Sequence, residues 1–240
     1  DIPISNRQEI DRWALALLYR TVETVTHSLE SYNAHRAGQA IEFLVNQLSN
    51  WYIRRNRRRF WKSESGDDKQ SAYLTLYECL STLQRLLAPF MPFIAEEMYQ
   101  NLERSRNCNS DISVHMTNWP VLNDKWKDND ILFETQVIQD IVALGRSARE
   151  ASQIRVRQPL AKITLLVDSN ESKRAVEKHQ HQILEELNIK KITFIDTNVE
   201  LVSYRIKPNL PILGKKFGKQ IPEIRKALGN MDSNKIASFY

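Results

Sequence analysis

One apolar stripe running into a block of arginines constrains this chain more than any other feature. Ala37, Ile41, Leu44, Leu48, Trp51 and Tyr52 step by threes and fours, a period that a helix turns into one continuous face. Asn33 or Ser31 can cap that helix. A face of this length has to be covered by other helices, and the chain supplies them. Asp11 can cap a first helix carrying Trp13, Leu17 (or Leu18), Val22 and Val25. After a polar loop at 63–67, Tyr73, Leu76, Tyr77, Leu80, Leu83 and Leu87 mark a third helix. Pro89 and Pro92 interrupt it, and Phe93 to Leu102 forms a shorter segment. From Asp130, the residues Ile131, Val137 or Ile138, Ile141, Leu144 (or Gly145) and Ala148 suit a last helix. Antiparallel packing is the simplest way to bury these faces.

Around Gln153 the pattern changes. Lys162 to Val167 and Lys191 to Ile195 are β-type runs, and the stretch between them, Ser172 to Leu187, is amphipathic. That order predicts a strand–helix–strand unit. Leu201 to Ile206 adds a candidate strand and Gln220 to Leu228 a short helix. The expected fold class is mainly α: an antiparallel helical bundle over residues 1–152, then a small mixed α/β domain over 153–240.

The arginine block is Arg54, Arg55, Arg57, Arg58 and Arg59, set among Trp51, Tyr52, Phe60 and Trp61 with no acidic residue between them. Guanidinium groups supply forked donors to phosphates and flat cations that stack on bases. Aromatic rings offer platforms to unstacked bases. Trp51 and Tyr52 also continue the apolar stripe, which suits the core. A solvated helix face normally mixes both signs of charge, and this one does not. A second cluster, Arg146, Arg149, Arg155 and Arg157, surrounds Glu150, so local ion pairing competes with RNA contact there. Lys215, Lys216 and Lys219, with Gly214 and Gly218, form a third basic segment.

Chemistry is hard to find. With 34 Lys and Arg against 29 Asp and Glu, the chain is mildly basic. The five histidines have no metal-ligand partners at useful spacing, and no phosphate-binding glycine loop occurs. Glu96-Glu97 is a carboxylate pair, but adjacent helical residues diverge. Cys79 and Cys108 make neither a zinc site nor a disulfide framework and fit a reducing cytoplasm. No apolar run reaches membrane-spanning length.

Asp11-Arg12-Trp13 opening a long helix resembles the start of the anticodon-binding bundle of class I synthetases for large aliphatic amino acids. Leu87-Ala88-Pro89-Phe90-Met91-Pro92-Phe93-Ile94-Ala95-Glu96-Glu97 and Val114-His115-Met116-Thr117-Asn118-Trp119-Pro120 are similar to segments of the same group. These features are shared by the valine, leucine and isoleucine enzymes. The segment from Ser49 to Trp61 resembles the Ser-Asn-Trp-Tyr-x-Arg-x-x-Arg-x-Arg-Phe-Trp pattern of isoleucyl-tRNA synthetases in particular. Ile154 to Leu160 and Leu213 to Lys219 are similar to that family as well.

The resemblance implies an anticodon-binding, C-terminal part of such an enzyme, without the His-Ile-Gly-His and Lys-Met-Ser-Lys-Ser signatures of the catalytic core. By itself such a chain is expected to be no enzyme and to need no cofactor; ATP and Mg belong to the full-length ligase. The implied partners are isoleucine tRNA, tRNA(Ile), and the catalytic core of the same polypeptide, with no membrane. Expected phosphate contacts are Arg54, Arg55, Arg57, Arg58, Arg59 and Arg149. Asn56, Phe60 and Trp61 are the expected base contacts. The equivalent domain of a valyl or leucyl enzyme, and a basic protein-interaction module, stand as alternatives.

Overall fold

The computed structural model describes residues 2–61, 66–107, 111–195 and 220–222. The chain divides into two compact units, residues 1–137 and 138–240.

The first unit is built on α1, Glu9–Glu30, which is buried almost all round from Trp13 to Tyr19 and is therefore its central helix. Gln8, not Asp11, stands at the N-cap; Asp11 lies inside the first turn and is fully buried. A tight turn through Tyr32, at φ 55°, leads into α2, Ala34–Gln47, which Asn33 caps by accepting the Arg36 amide at 3.0 Å. Ala37, Ile41 and Leu44 face inward, as the stripe predicts. A wider, π-helical turn at Leu48–Ile53 follows and buries Trp51 and Tyr52 together. The Tyr52 carbonyl accepts the Asn56 amide and the Asn56 carbonyl the Phe60 amide, which carries the coil into α3, Arg57–Trp61.

Next, α4, Asp67–Leu87, packs on α1. Its inward face differs from the one expected: Ala72, Thr75, Cys79, Leu83 and Leu86 are buried, whereas Tyr73 is exposed and Leu76, Tyr77 and Leu80 are half-buried. Small side chains in the first half of the helix allow close approach, which displaces the larger residues to the flank. Pro92 opens α5, Pro92–Tyr99, where its missing N–H costs nothing. A small core of Ala95, Tyr99 and Val114 forms against Leu87 and Ala88. Glu96 braces it, accepting Gln100 Nε2 at 2.7 Å, Ser113 Oγ at 2.8 Å and the Val114 amide at 3.0 Å.

The last long helix is α6, Asn129–Ala151, capped by Asp128, whose carboxylate accepts the Ile131 amide at 3.0 Å. The two compact units divide within it, at Val137 and Ile138, whereas the sequence pattern changes only after residue 152.

In the second unit β1, Ile163–Leu165, pairs in parallel with β2, Ile192–Phe194, with Ile163 opposite Ile192. The connection is helical, as expected, but it breaks at His179 into α7, Asn170–Lys178, and α8, Gln180–Leu187. Asn188, left-handed at φ 50°, ends α8. Gly145 lets α6 lie against Leu187: a Cβ there would stand 2.4 Å from Leu187 Cδ1. The expected strand at 201–206, and all but 220–222 of the expected C-terminal helix, lie outside the described residues. No helix among those described is long and apolar enough to cross a membrane.

Candidate nucleic-acid interface

The coil from Tyr52 to Trp61 has two faces. Inward, Tyr52, Asn56 and Phe60 recur every four residues, at 0, 3 and 7 % exposure. Outward, Arg54, Arg57, Arg58 and Trp61 recur at helical spacing and all are exposed, Trp61 at 67 %. The sequence block therefore resolves into a core-facing ladder and a solvent-facing strip of three guanidiniums ending in an indole.

Aromatic packing holds the inner ladder. Phe60 meets Tyr52, Trp61 and Tyr73 edge to face, at ring centroid distances of 6.3, 6.4 and 5.3 Å. The Tyr73 hydroxyl donates to the Phe60 carbonyl at 3.2 Å, which ties α3 to α4. The Tyr52 hydroxyl donates to Asp11 Oδ1 at 2.7 Å. Burial first, and then the Asp11 charge, push its pKa far up, so it remains a donor.

Each expected contact residue now has a place. Arg59 turns inward, its guanidinium shared between Asp11, Asp68 and Asn56 Oδ1. Asn56 and Phe60, expected at bases, lie in the core instead, because the four-residue step from Tyr52 carries them inward. Arg55 is half-buried, with Cζ 4.8 Å from the centre of the Trp51 ring. Arg54 donates to the Asn50 carbonyl at 2.8 Å and lies 6.0 Å from the same ring. Arg57 lies 5.7 Å from the Trp61 ring, so the outer cation and the outer indole support each other.

Arg149 belongs to the second unit and is 4 % exposed. Its terminal nitrogens reach four carbonyls: Arg155 and Gln158 at 3.1 Å, Leu187 at 2.6 Å and Asn188 at 3.3 Å. A cation there satisfies the carbonyl end of α8 and closes the loop from Arg155 to Gln158. It acts as an internal joint. Arg146, from the same cluster, pairs with Glu186 at 2.5 Å, whereas Arg155 and Arg157 are exposed. The lysine segment at 215–219 lies outside the described residues.

A helical bundle carrying an arginine strip ended by an exposed aromatic ring defines the class: an α-helical module with a surface suited to nucleic acid. The chain belongs to the family described as the anticodon-binding domain of tRNA ligases, whose model matches residues 11–165. It is 42 % identical to an isoleucine–tRNA ligase of Deinococcus radiodurans, over 98 % of this chain and 21 % of that protein. It is 40 % identical to one of Thermus thermophilus, over 94 % of this chain and 22 % of that protein. The isoleucine–tRNA ligase of Dehalococcoides mccartyi is 46 % identical over 76 % of the chain and 18 % of that protein. The chain thus spans about a fifth of the length of the curated relatives it matches.

Proposed function

We propose that this chain docks the anticodon arm of isoleucine tRNA and so orients the distant acceptor end for the catalytic part of an isoleucine–tRNA ligase. The observation that carries the proposal is the outward strip of Arg54, Arg57, Arg58 and Trp61, opposite a ladder wholly given to packing. Three cations at helical spacing match a phosphate backbone, and contacts of this kind position an RNA without reading it. Trp61 is the member of the strip able to stack on a base. Arg59, Asn56, Phe60 and Arg149 serve by holding this geometry and that of the second unit. Adenylate chemistry, with its ATP and magnesium, falls outside this chain. Its functional division follows the change in sequence pattern, a bundle to residue 152 and an α/β junction domain after it, and its setting is the cytoplasm.

Nuclease footprinting of isoleucine tRNA with the chain is the test. Protection confined to the anticodon arm is expected. Protection of the acceptor stem alone would refute the role, and displacement of the RNA by an acidic protein would favour a protein-interaction module.

A further inference from the structure

We infer that the cavity lined by Arg12 and Trp126 is a nucleotide pocket that takes one base splayed out of the RNA loop, its phosphate held by Arg12, Lys125 and Lys127. This rests on the anticodon-docking role proposed above and assigns it a second point of contact. The cavity has a volume of about 740 Å³, within the range of sites that enclose small organic groups. It lies at the same end of the bundle as the arginine strip, because Asp11 binds Arg59 and the next residue, Arg12, lines the cavity.

Its walls are built. Arg7 is buried and forks onto Glu78 at 2.6 and 3.2 Å, donates to Thr75 Oγ1 at 3.0 Å, and reaches the Ile2 carbonyl at 3.3 Å. Trp126 stands on a short 3-10 turn, Asp124–Trp126, that Asn123 caps by accepting the Lys125 amide at 3.2 Å. The two carboxylates of the lining are engaged: Glu78 with Arg7, and Asp128 in capping α6. That leaves Arg12, Lys125 and Lys127 as cations with no carboxylate assigned to them in the lining. Among the described residues, buried Arg12 Nε has no hydrogen-bond partner. Cations around a half-buried indole fit a nucleotide, with charge for the phosphate and a flat face for the base.

The test uses the anticodon stem-loop of isoleucine tRNA with 4-thiouridine placed at each loop position in turn, irradiated with the whole chain, and the adducts mapped by mass spectrometry. One loop position is expected to crosslink within residues 123–128. Trp126→Ala and Arg12→Gln are each expected to weaken stem-loop binding about 5- to 100-fold. Lys125 is exposed, so Lys125→Glu keeps the test valid if Trp126→Ala does not fold, and it too should weaken binding. If Arg58→Glu weakens binding while these variants bind as the parent does, and no adduct maps to 123–128, the pocket is refuted and the docking role stands. Absence of any stem-loop binding by the parent chain would overturn both. Protection of Trp126 from oxidation by AMP, with no loop crosslink there, would make this a mononucleotide site and overturn the pocket's role in RNA binding.

Discussion

Asp11 and Arg59 form a two-pronged ion pair, Nη2 to Oδ2 at 2.7 Å and Nη1 to Oδ1 at 2.9 Å. It joins the first turn of α1 to α3 across 48 residues of sequence. The carboxylate is fully buried and also accepts the Tyr52 hydroxyl. With Arg59 pinned inward, the helix has one rotation left, and that rotation turns Arg57, Arg58 and Trp61 outward.

Removing one partner of this pair strands a buried charge. Arg59→Met should destabilise the chain by about 3–5 kcal/mol, and Asp11→Asn combined with Arg59→Met should cost less than the two changes summed. Tyr52→Phe removes one hydrogen bond and should cost about 1 kcal/mol. Urea midpoints of the four variants check this; equal midpoints for Arg59→Met and the parent would contradict it.

Arg57 and Arg58 are both exposed. Arg57→Glu and Arg58→Glu should leave the urea midpoint nearly unchanged, within about 0.5 kcal/mol. Each should weaken tRNA binding whatever the anticodon and lower the magnitude of the log affinity–log salt slope by about 1. Binding titrations at several salt concentrations report both quantities.

Glu96 predicts an acid-sensitive contribution. The Gln100 hydrogen bond above all, with help from Ser113 and the Val114 amide, holds its carboxyl below the usual range. A depressed carboxylate stabilises the fold above the unfolded-state pKa of about 4.3, and that stability is lost as pH falls through the lower folded value. The difference in urea midpoint between the parent and Glu96→Gln should therefore shrink between pH 7 and pH 3. A constant difference would assign Glu96 a role independent of its charge.

Cys79 is fully buried in α4, and burial pushes its thiol well above the ordinary range. Almost no thiolate exists at pH 8, so alkylation at Cys79 should be slow in the native chain and fast in urea. Peptide mapping after an iodoacetamide pulse distinguishes it from Cys108.

In the second unit, Arg149→Gln removes the guanidinium from the buried Leu187 carbonyl and from three part-buried ones, and should cost about 1–3 kcal/mol. Gly145→Ala pushes a methyl into Leu187, with an expected loss of about 1–3 kcal/mol. Both should shift hydrogen exchange in α8 and not in α1. A shift in α1 instead would show that these residues do not act within their own unit.

Periodicity made the helices legible, and it also shows which residues of the arginine block turn inward. Leu48, Tyr52, Asn56 and Phe60 are four apart, so extending the stripe past Tyr52 puts Asn56 and Phe60 in the core. Reading them by chemical type hid that. Asp11 looked like a cap because caps and buried carboxylates share a residue type; its partner, Arg59, is distant in sequence. The inward face of α4 is hard to see in the sequence because the buried residues of its first half, Ser71, Ala72, Thr75 and Cys79, are small or polar, and the large apolar residues beside them dominate any hydrophobic pattern. The π-helical turn at Leu48–Ile53 and the break at His179 carry no proline or glycine to announce them. Arg149 lies in a basic cluster, and only the fold brings it to the carbonyls at the end of α8.

The measurement closest to the central claim is the affinity of this chain for isoleucine tRNA and for the same tRNA with its anticodon replaced, at two salt concentrations. A preference for the native anticodon that persists at the higher salt is expected. Equal affinities that fall together steeply with salt would contradict anticodon recognition and leave only a positioning surface.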